Sequence, residues 1–239
     1  MITAAVAVAG AHAGPSLAAF GQLSRRLLPP RLSGIGRPGH VALTFNGGPD
    51  PRATPQLLRV LDRHDVRATF FLPGEKVERH VKETRDIVAA GHEVGVLGYQ
   101  HRLLLSRLPR DVVRDLSRAT AAITSVTGQE PRWWRPPYGL ASSTALLTAR
   151  CLGLTPVLWT CSDRRWGRPA GPEAVYRSVR RRLRGGGTVL MHHSDRAADG
   201  DSWNAVLGAL PEILEICQVR GYEVGRLRDH GLPAVPSTL

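Results

Sequence analysis

Histidine, arginine and tryptophan gather in five short polar clusters, each following an apolar run. These are Asn46-Gly47-Gly48-Pro49-Asp50, Gly98-Tyr99-Gln100-His101, Arg135-Pro136-Pro137-Tyr138-Gly139, Cys161 to Trp166, and His192-His193-Ser194-Asp195. Imidazole titrates near neutrality, so a histidine at such a position is suited to proton transfer. His193 is the weaker of its pair, because alternation along an extended chain turns it away from His192. His101 is placed to meet His192 across a common mouth. Two histidines without carboxylates imply no functional metal. Trp133, Trp134, Trp159 and Trp166 can stack on a sugar or a polyene, with core packing the simpler account of Trp134 and Trp159. Cys161 has no base beside it and reads as a small buried residue.

The runs between these clusters alternate in type. Val41–Phe45, Ala68–Leu72, Val94–Leu97, Trp134–Arg135, Val157–Thr160, Thr188–Met191 and Glu223–Leu227 are β-rich and short. Between them lie helical patterns. Thr54-Pro55 opens the first, with Thr54 as N-cap. Glu75–Ala90 forms the second, and Val112, Leu116, Ala119 and Ile123 recur at helical spacing in the third. Further helices fall at about 143–152, 172–184 and 203–219. Strand–helix alternation of this kind implies an α/β fold with a parallel sheet, closed as a barrel or open and wide. Chemistry in such folds lies at the C-terminal strand ends, where all five clusters stand.

The chain has 239 residues and a formal net charge of +12, with 42% hydrophobic and 22% charged residues. That composition excludes global disorder. Nearly all the basic charge is arginine, only Lys76 and Lys82 being lysine, as a GC-rich coding sequence would write it. No aromatic-interleaved basic motif accompanies it, so no specific nucleic-acid partner is expected. The densest run, Arg177 to Arg184, falls on a helix and reads as a solvated face. Three cysteines at wide spacing give neither a disulfide framework nor a zinc-finger pattern. The apolar stretch Met1–Phe20 has no basic residue before Arg25 and is too weak to span a bilayer. A cytoplasmic location is expected, with a degenerate export signal as the alternative.

The ordered clusters resemble the polysaccharide deacetylases of the NodB-homology type, carbohydrate esterase family four. The likeness rests on ALTFNGGPDPRATP, VRATFFLPG, AAGHEVGVLGYQHR, WRPPYG and GGTVLMHHSD. It implies a NodB-type distorted (β/α)7 barrel over residues 38–232. A helical N-terminal extension (1–37) and a C-terminal tail (233–239) would flank it. The family's enzymes remove acetyl groups from sugars with a divalent metal. Their first motif reads Thr-Phe-Asp-Asp-Gly-Pro, base then metal ligand, where this chain has Asn46 and Gly47. Their second supplies two histidine ligands, where this chain has Leu97 and His101. Their third survives as Arg135-Pro136-Pro137-Tyr138. In the fourth, Arg165 stands where Asp precedes Trp166. The fifth survives as Met191-His192, the apolar wall and the general acid.

A deacetylase scaffold without its metal centre therefore follows, with no cofactor. The catalytic candidates are His192, Arg135 and Asn46. Tyr138, Pro137, Trp159, Trp166, Arg165, Asp50, His101 and Met191 are expected to line the ligand site. Arg135 has lost its carboxylate partner, so it either stands free or bridges to Asp50 or Asp163. Free, it would join Arg165 in an electropositive pocket for an anionic ligand. The leading expectation is a metal-independent acid/base enzyme that cyclises, dehydrates or isomerises a small, sugar-like or anionic metabolite. The alternatives are a non-catalytic glycan- or partner-binding protein and a residual deacetylase.

Overall fold

The computed structural model describes residues 30–163, 171–193 and 202–232. The chain runs through α1 (Pro30–Ser33), β1 (His40–Asn46), α2 (Ala53–Arg63), β2 (Thr69–Pro73), α3 (Gly74–Arg79), α4 (Val81–Ala89) and β3 (Glu93–Gly98). Then come α5 (Pro109–Thr127), β4 (Trp133–Trp134), a 3-10 turn at Pro137–Gly139, α6 (Ser143–Cys151), β5 (Thr155–Pro156) and β6 (Cys161–Ser162). α7 (Pro172–Arg182), β7 (Thr188–His192), α8 (Ser202–Val219), β8 (Glu223–Gly225) and a 3-10 turn at Leu227–Asp229 complete it.

All strand pairs are parallel, in the order β5-β4-β3-β2-β1-β7-β6, and β8 adds to the first half of β1. The sheet curls into a distorted barrel with helices outside. Side chains alternate between two apolar layers. Ala42, Phe71, Leu97, Trp133, Val157 and Leu227 pack together inside the curl. Phe45, Phe70, Leu72, Trp134, Val189 and Met191 pack outward against Leu61, Leu116, Val179 and Ile213 of the helices. Each such side chain is worth about 1.5–3 kcal/mol when buried, so slipping any strand by one residue would exchange the layers at great cost. Buried Glu93 anchors the interior among polar partners. It accepts from Thr69 Oγ1 at 2.8 Å, Trp133 Nε1 at 3.0 Å and Arg228 Nε at 3.1 Å.

Three expected elements differ. The run 157–160 is not a strand. Thr155–Pro156 pairs with β4 and Cys161–Ser162 with β7, while the intervening amide of Leu158 bonds to Leu32 of α1. The helix expected over 75–90 breaks at His80, which leaves helical geometry at φ −124° and ψ 59°. Thr54 is not the N-cap of α2 but lies in its first turn. Its Oγ1 accepts from the Asp50 amide at 2.9 Å, while Asp50 Oδ1 accepts from Arg52 and Ala53 at 2.8 and 2.9 Å. That reciprocal arrangement satisfies the helix's leading donors. The tail 233–239 and most of the N-terminal extension lie outside the described residues, as do Arg165 and Trp166. Among the described residues, no helix is long and apolar enough to cross a membrane.

Candidate functional site

Parallel pairing in register sets Asn46 beside Phe71 and His192 at the C-terminal ends of β1, β2 and β7. Arg135 follows β4, its amide donating to Val96 of β3 at 2.9 Å. Asp163 follows β6, its amide donating to Leu190 at 3.1 Å. One mouth therefore collects four of the clusters, as the alternation of elements implied.

On one side stands an acid pair. Asp163, buried, accepts from the His192 amide at 2.8 Å and from His192 Nδ1 at 2.9 Å. An ionised carboxylate can only accept, so Nδ1 carries the proton and Nε2 is the nitrogen left to face a ligand. Nε2 has no hydrogen-bond partner among the described residues, and the His192 side chain is 16% exposed. The sequence offers Asp163 as a partner for Arg135 or as a substitute for the missing carboxylates, and its pairing with His192 is new in the structure. Its signal was available: it follows a strand that pairs with β7, within reach of that strand's terminal histidine.

On the other side lies a buried cation. Arg135 is 0% exposed and forms no salt bridge among the described residues. Its Nη1 donates to Thr44 Oγ1 at 2.8 Å and to Asn46 Oδ1 at 2.9 Å. Its Nη2 and Nε donate to the carbonyls of Leu158 and Val157 at 3.2 and 3.3 Å. The guanidinium lies over Phe71 at 4.0 Å. Burial pushes its pKa down to about 9. Arg135 thus ties β1, β4 and the segment after β5 together. It is neither free for an anion nor bridged to Asp50 or Asp163, which corrects the electropositive-pocket expectation at this residue. Asn46 serves as its acceptor.

Several expected lining residues lie elsewhere. Met191 points into the outer core, on the face opposite His192, because neighbouring strand residues alternate. Asp50 caps α2. Burial works against its ionisation, but the amides of Ala53 and Arg52 outweigh this and hold its carboxyl below the ordinary value. His101 stacks on Tyr138 with ring centroids 4.8 Å apart, and the Tyr138 hydroxyl donates to the His101 carbonyl at 3.4 Å. Tyr138 is 39% exposed and adopts φ 61°, a left-handed conformation that costs about 1–2 kcal/mol in a non-glycine residue. Pro137 is buried beneath it, and Trp159 closes over Gly139 and Arg135. His193 is fully buried, edge-on to Phe45 and Phe70. A Cβ at Gly48 would overlap its ring, so only glycine fits there. Burial pushes the His193 pKa down to about 3, and neither ring nitrogen has a hydrogen-bond partner among the described residues.

The donor set does not fit a catalytic divalent metal. Among the described residues, no three His, Cys, Asp or Glu side chains group to hold an ion. Leu97 is packed in the apolar interior, and Gly47 has no side chain. Gly47 also adopts φ 103°, which favours glycine, so a carboxylate could not be added there without moving the backbone.

Comparison with known proteins gives a consistent relationship. Residues 34–157 match the family model described as polysaccharide deacetylase. A chitooligosaccharide deacetylase of Bradyrhizobium sp. is 36% identical over 200 residues, covering 81% of this chain and 89% of the relative. A peptidoglycan-N-acetylglucosamine deacetylase of Bacillus cereus is 29% identical, covering 76% of this chain and 83% of the relative. The crystal structure of a CE4 family pseudoenzyme from Bacillus anthracis superposes with a TM-score of 0.76 at 27% identity. That alignment covers 87% of this chain and 72% of the other.

Proposed function

The chain belongs to the polysaccharide deacetylase family, and from that premise we propose that it is a non-catalytic member that binds an N-acetylated glycan in the family's cleft. The observation that carries this reading is the split state of the site. The His192–Asp163 pair is intact, while Asn46, Gly47 and Leu97 supply neither metal donors nor a carboxylate base, and no three metal-ligating side chains group among the described residues. Asn46 has the shape of Asp without its proton affinity, so it holds Arg135 in place but cannot activate water. His192 then offers Nε2 to a sugar hydroxyl or acetamido oxygen. The stacked Tyr138–His101 pair gives an aromatic face on the rim, of the kind that packs against the C–H face of a sugar ring.

Resemblance to a CE4 family pseudoenzyme supports this reading over a metal-independent enzyme for a small metabolite. The metabolite reading set its acid/base histidine in an electropositive pocket, and the guanidinium described there, Arg135, is fully engaged with the scaffold.

The test pairs calorimetric titration of N-acetylchitotetraose with an acetate-release assay, each run with EDTA and with added cobalt. Expected are saturable binding indifferent to EDTA, weakened in His192→Ala, and no acetate above a blank under either condition. Acetate release that cobalt supports and EDTA abolishes would overturn the non-catalytic reading. Absence of saturable binding would overturn the glycan-binding part.

A further inference from the structure

Helix α7 ends in Arg180-Arg181-Arg182, with Arg177 one turn earlier and Arg184 two residues beyond the helix. Arg220 follows the last residue of α8. The two helices pack on each other and run back against the direction of the parallel strands, so both C-terminal ends reach the N-terminal end of the barrel. There the Gly186 amide bonds to the carbonyl of His40, the first residue of β1. This end lies opposite the mouth described above.

Arg177, Arg180, Arg181, Arg184 and Arg220 together line one open cavity of about 430 Å³. An arginine run on a helix ordinarily spreads its charges into solvent, but here a concavity gathers them. Nη1 of Arg184 and Nη1 of Arg220 donate to the same acceptor, the Leu183 carbonyl, at 2.9 and 3.0 Å. Two like charges thus converge on one neutral oxygen, leaving most of their ten N–H donors unused. Among the described residues, the single carboxylate paired with the set is Glu173, 3.2 Å from Arg177 Nε, and both partners of that bridge are exposed. Arg180 and Arg181 make no hydrogen bond or ion pair among the described residues.

We propose that this arginine basin is a binding site for a compact, multiply charged phosphate anion, separate from the cleft at the opposite end of the barrel. Guanidinium forks match phosphate oxygens two at a time, and a multivalent anion is what relieves repulsion among five clustered cations. A concave site suits a discrete anion better than the plane of a membrane. Among the described residues, the lining holds no aromatic side chain on which a nucleobase could stack.

The experiment is calorimetric titration of the full chain with inorganic tripolyphosphate at low and moderate salt. It is run beside Arg180→Gln/Arg181→Gln and a charge-matched control, Arg110→Gln/Arg114→Gln, on the exposed face of α5. The substituted basin residues are exposed and unpartnered among the described residues, so folding is expected to be untouched, and thermal melts check this. Expected is one saturable site per chain, weakened at least about tenfold in the basin variant and within about twofold in the control. Equal weakening in both variants would reduce the effect to diffuse charge and overturn the site. So would absence of saturable tripolyphosphate binding. Binding to phosphatidylglycerol vesicles that requires the basin, without binding of tripolyphosphate, would overturn it in favour of a membrane surface.

Discussion

Replacing Asn46 with Asp tests whether Arg135 is a cation held without a counter-charge. Burial alone pushes its pKa down to about 9, so the guanidinium carries a desolvation cost on the order of several kcal/mol at neutral pH. In Asn46→Asp a carboxylate oxygen takes the place of Oδ1, now 2.9 Å from Arg135 Nη1. The contact becomes a charge-assisted hydrogen bond, roughly twice as strong as the neutral one. The new carboxylate is also desolvated, which costs several kcal/mol and cancels much of the gain. A net stabilisation of about 1–3 kcal/mol is expected, a rise of roughly 2–12 °C in Tm for a chain of this size. The pH dependence fixes the cause. Arg135 lowers the pKa of the introduced carboxyl in the folded state. The gain is therefore present above the unfolded value near 4 and lost as pH falls through the folded value. Urea melts of both proteins from pH 2 to pH 8, subtracted, should give a plateau from pH 5 upward that collapses toward acid. A variant no more stable than the parent at pH 7, or a gain that persists unchanged at pH 2, would refute the account of Arg135. No acetate release is expected from this variant, since Gly47 and Leu97 still provide no metal ligands.

Burial depresses His193 to about 3 and His92 and His230 to about 4, so between pH 6.5 and 4 the unfolded chain binds protons that the folded chain refuses. Stability should fall with a slope that steepens from about 2 kcal/mol per pH unit near pH 6.5 toward a limit of about 4 near pH 5, and equilibrium denaturation at pH 7, 6 and 5 that gives a flat profile would contradict it. His193→Phe removes two buried nitrogens, unpartnered among the described residues, from an apolar site beside a small cavity, so neutral to about 2 kcal/mol stabilising is expected at pH 7, with an acid slope reduced by roughly a third. Gly48→Ala should cost about 2 kcal/mol or more in the parent but much less in a His193→Ala background, and a double-mutant cycle showing simple additivity would disprove the contact between them. In Asp163→Asn one carboxylate oxygen becomes an NH2 donor, so the bonds from the amide and Nδ1 of His192 fall on a single neutral oxygen and lose their charge assistance. A loss of about 1–3 kcal/mol in denaturant melts is expected, with chitotetraose affinity falling alongside.

The alternation of short apolar runs and helical patterns made the parallel sheet and its functional end legible in the sequence. Position 157–160 shows where that logic stops. Its composition is strand-like, but the partner that claims the Leu158 amide is Leu32, more than a hundred residues away, and local propensity carries no record of it. The departures at Asn46, Gly47 and Leu97 were visible as residue types, whereas what Arg135 does without its carboxylate was not. The answer depended on two backbone carbonyls and a threonine that converge only in the fold. Asp50 and Met191 were misplaced for simpler reasons: a side chain near a mouth can be engaged in capping a helix, and a neighbour of His192 on a strand must face the opposite layer.

Two kinds of loss are therefore combined at this site, and they differ in how deeply the fold has absorbed them. At position 46 the change from the family's Asp is one of charge alone. The shape, the register with His192 and the bond to Arg135 all remain, so the scaffold stays ready to receive the carboxylate back. At position 47 the backbone adopts φ 103°, with the amide tied to the Phe71 carbonyl at 3.1 Å, and at 97 an apolar side chain fills the interior. A side-chain replacement at 47 would have to break that turn before it could present an oxygen, at a cost of about 1–3 kcal/mol. A histidine at 97 would enter a packed apolar layer, where an imidazole lacking both metal and hydrogen bond is itself destabilising. The base position is thus chemically reversible, while the metal positions are held closed by conformation and packing. That asymmetry is what a binding site retained after catalysis would leave.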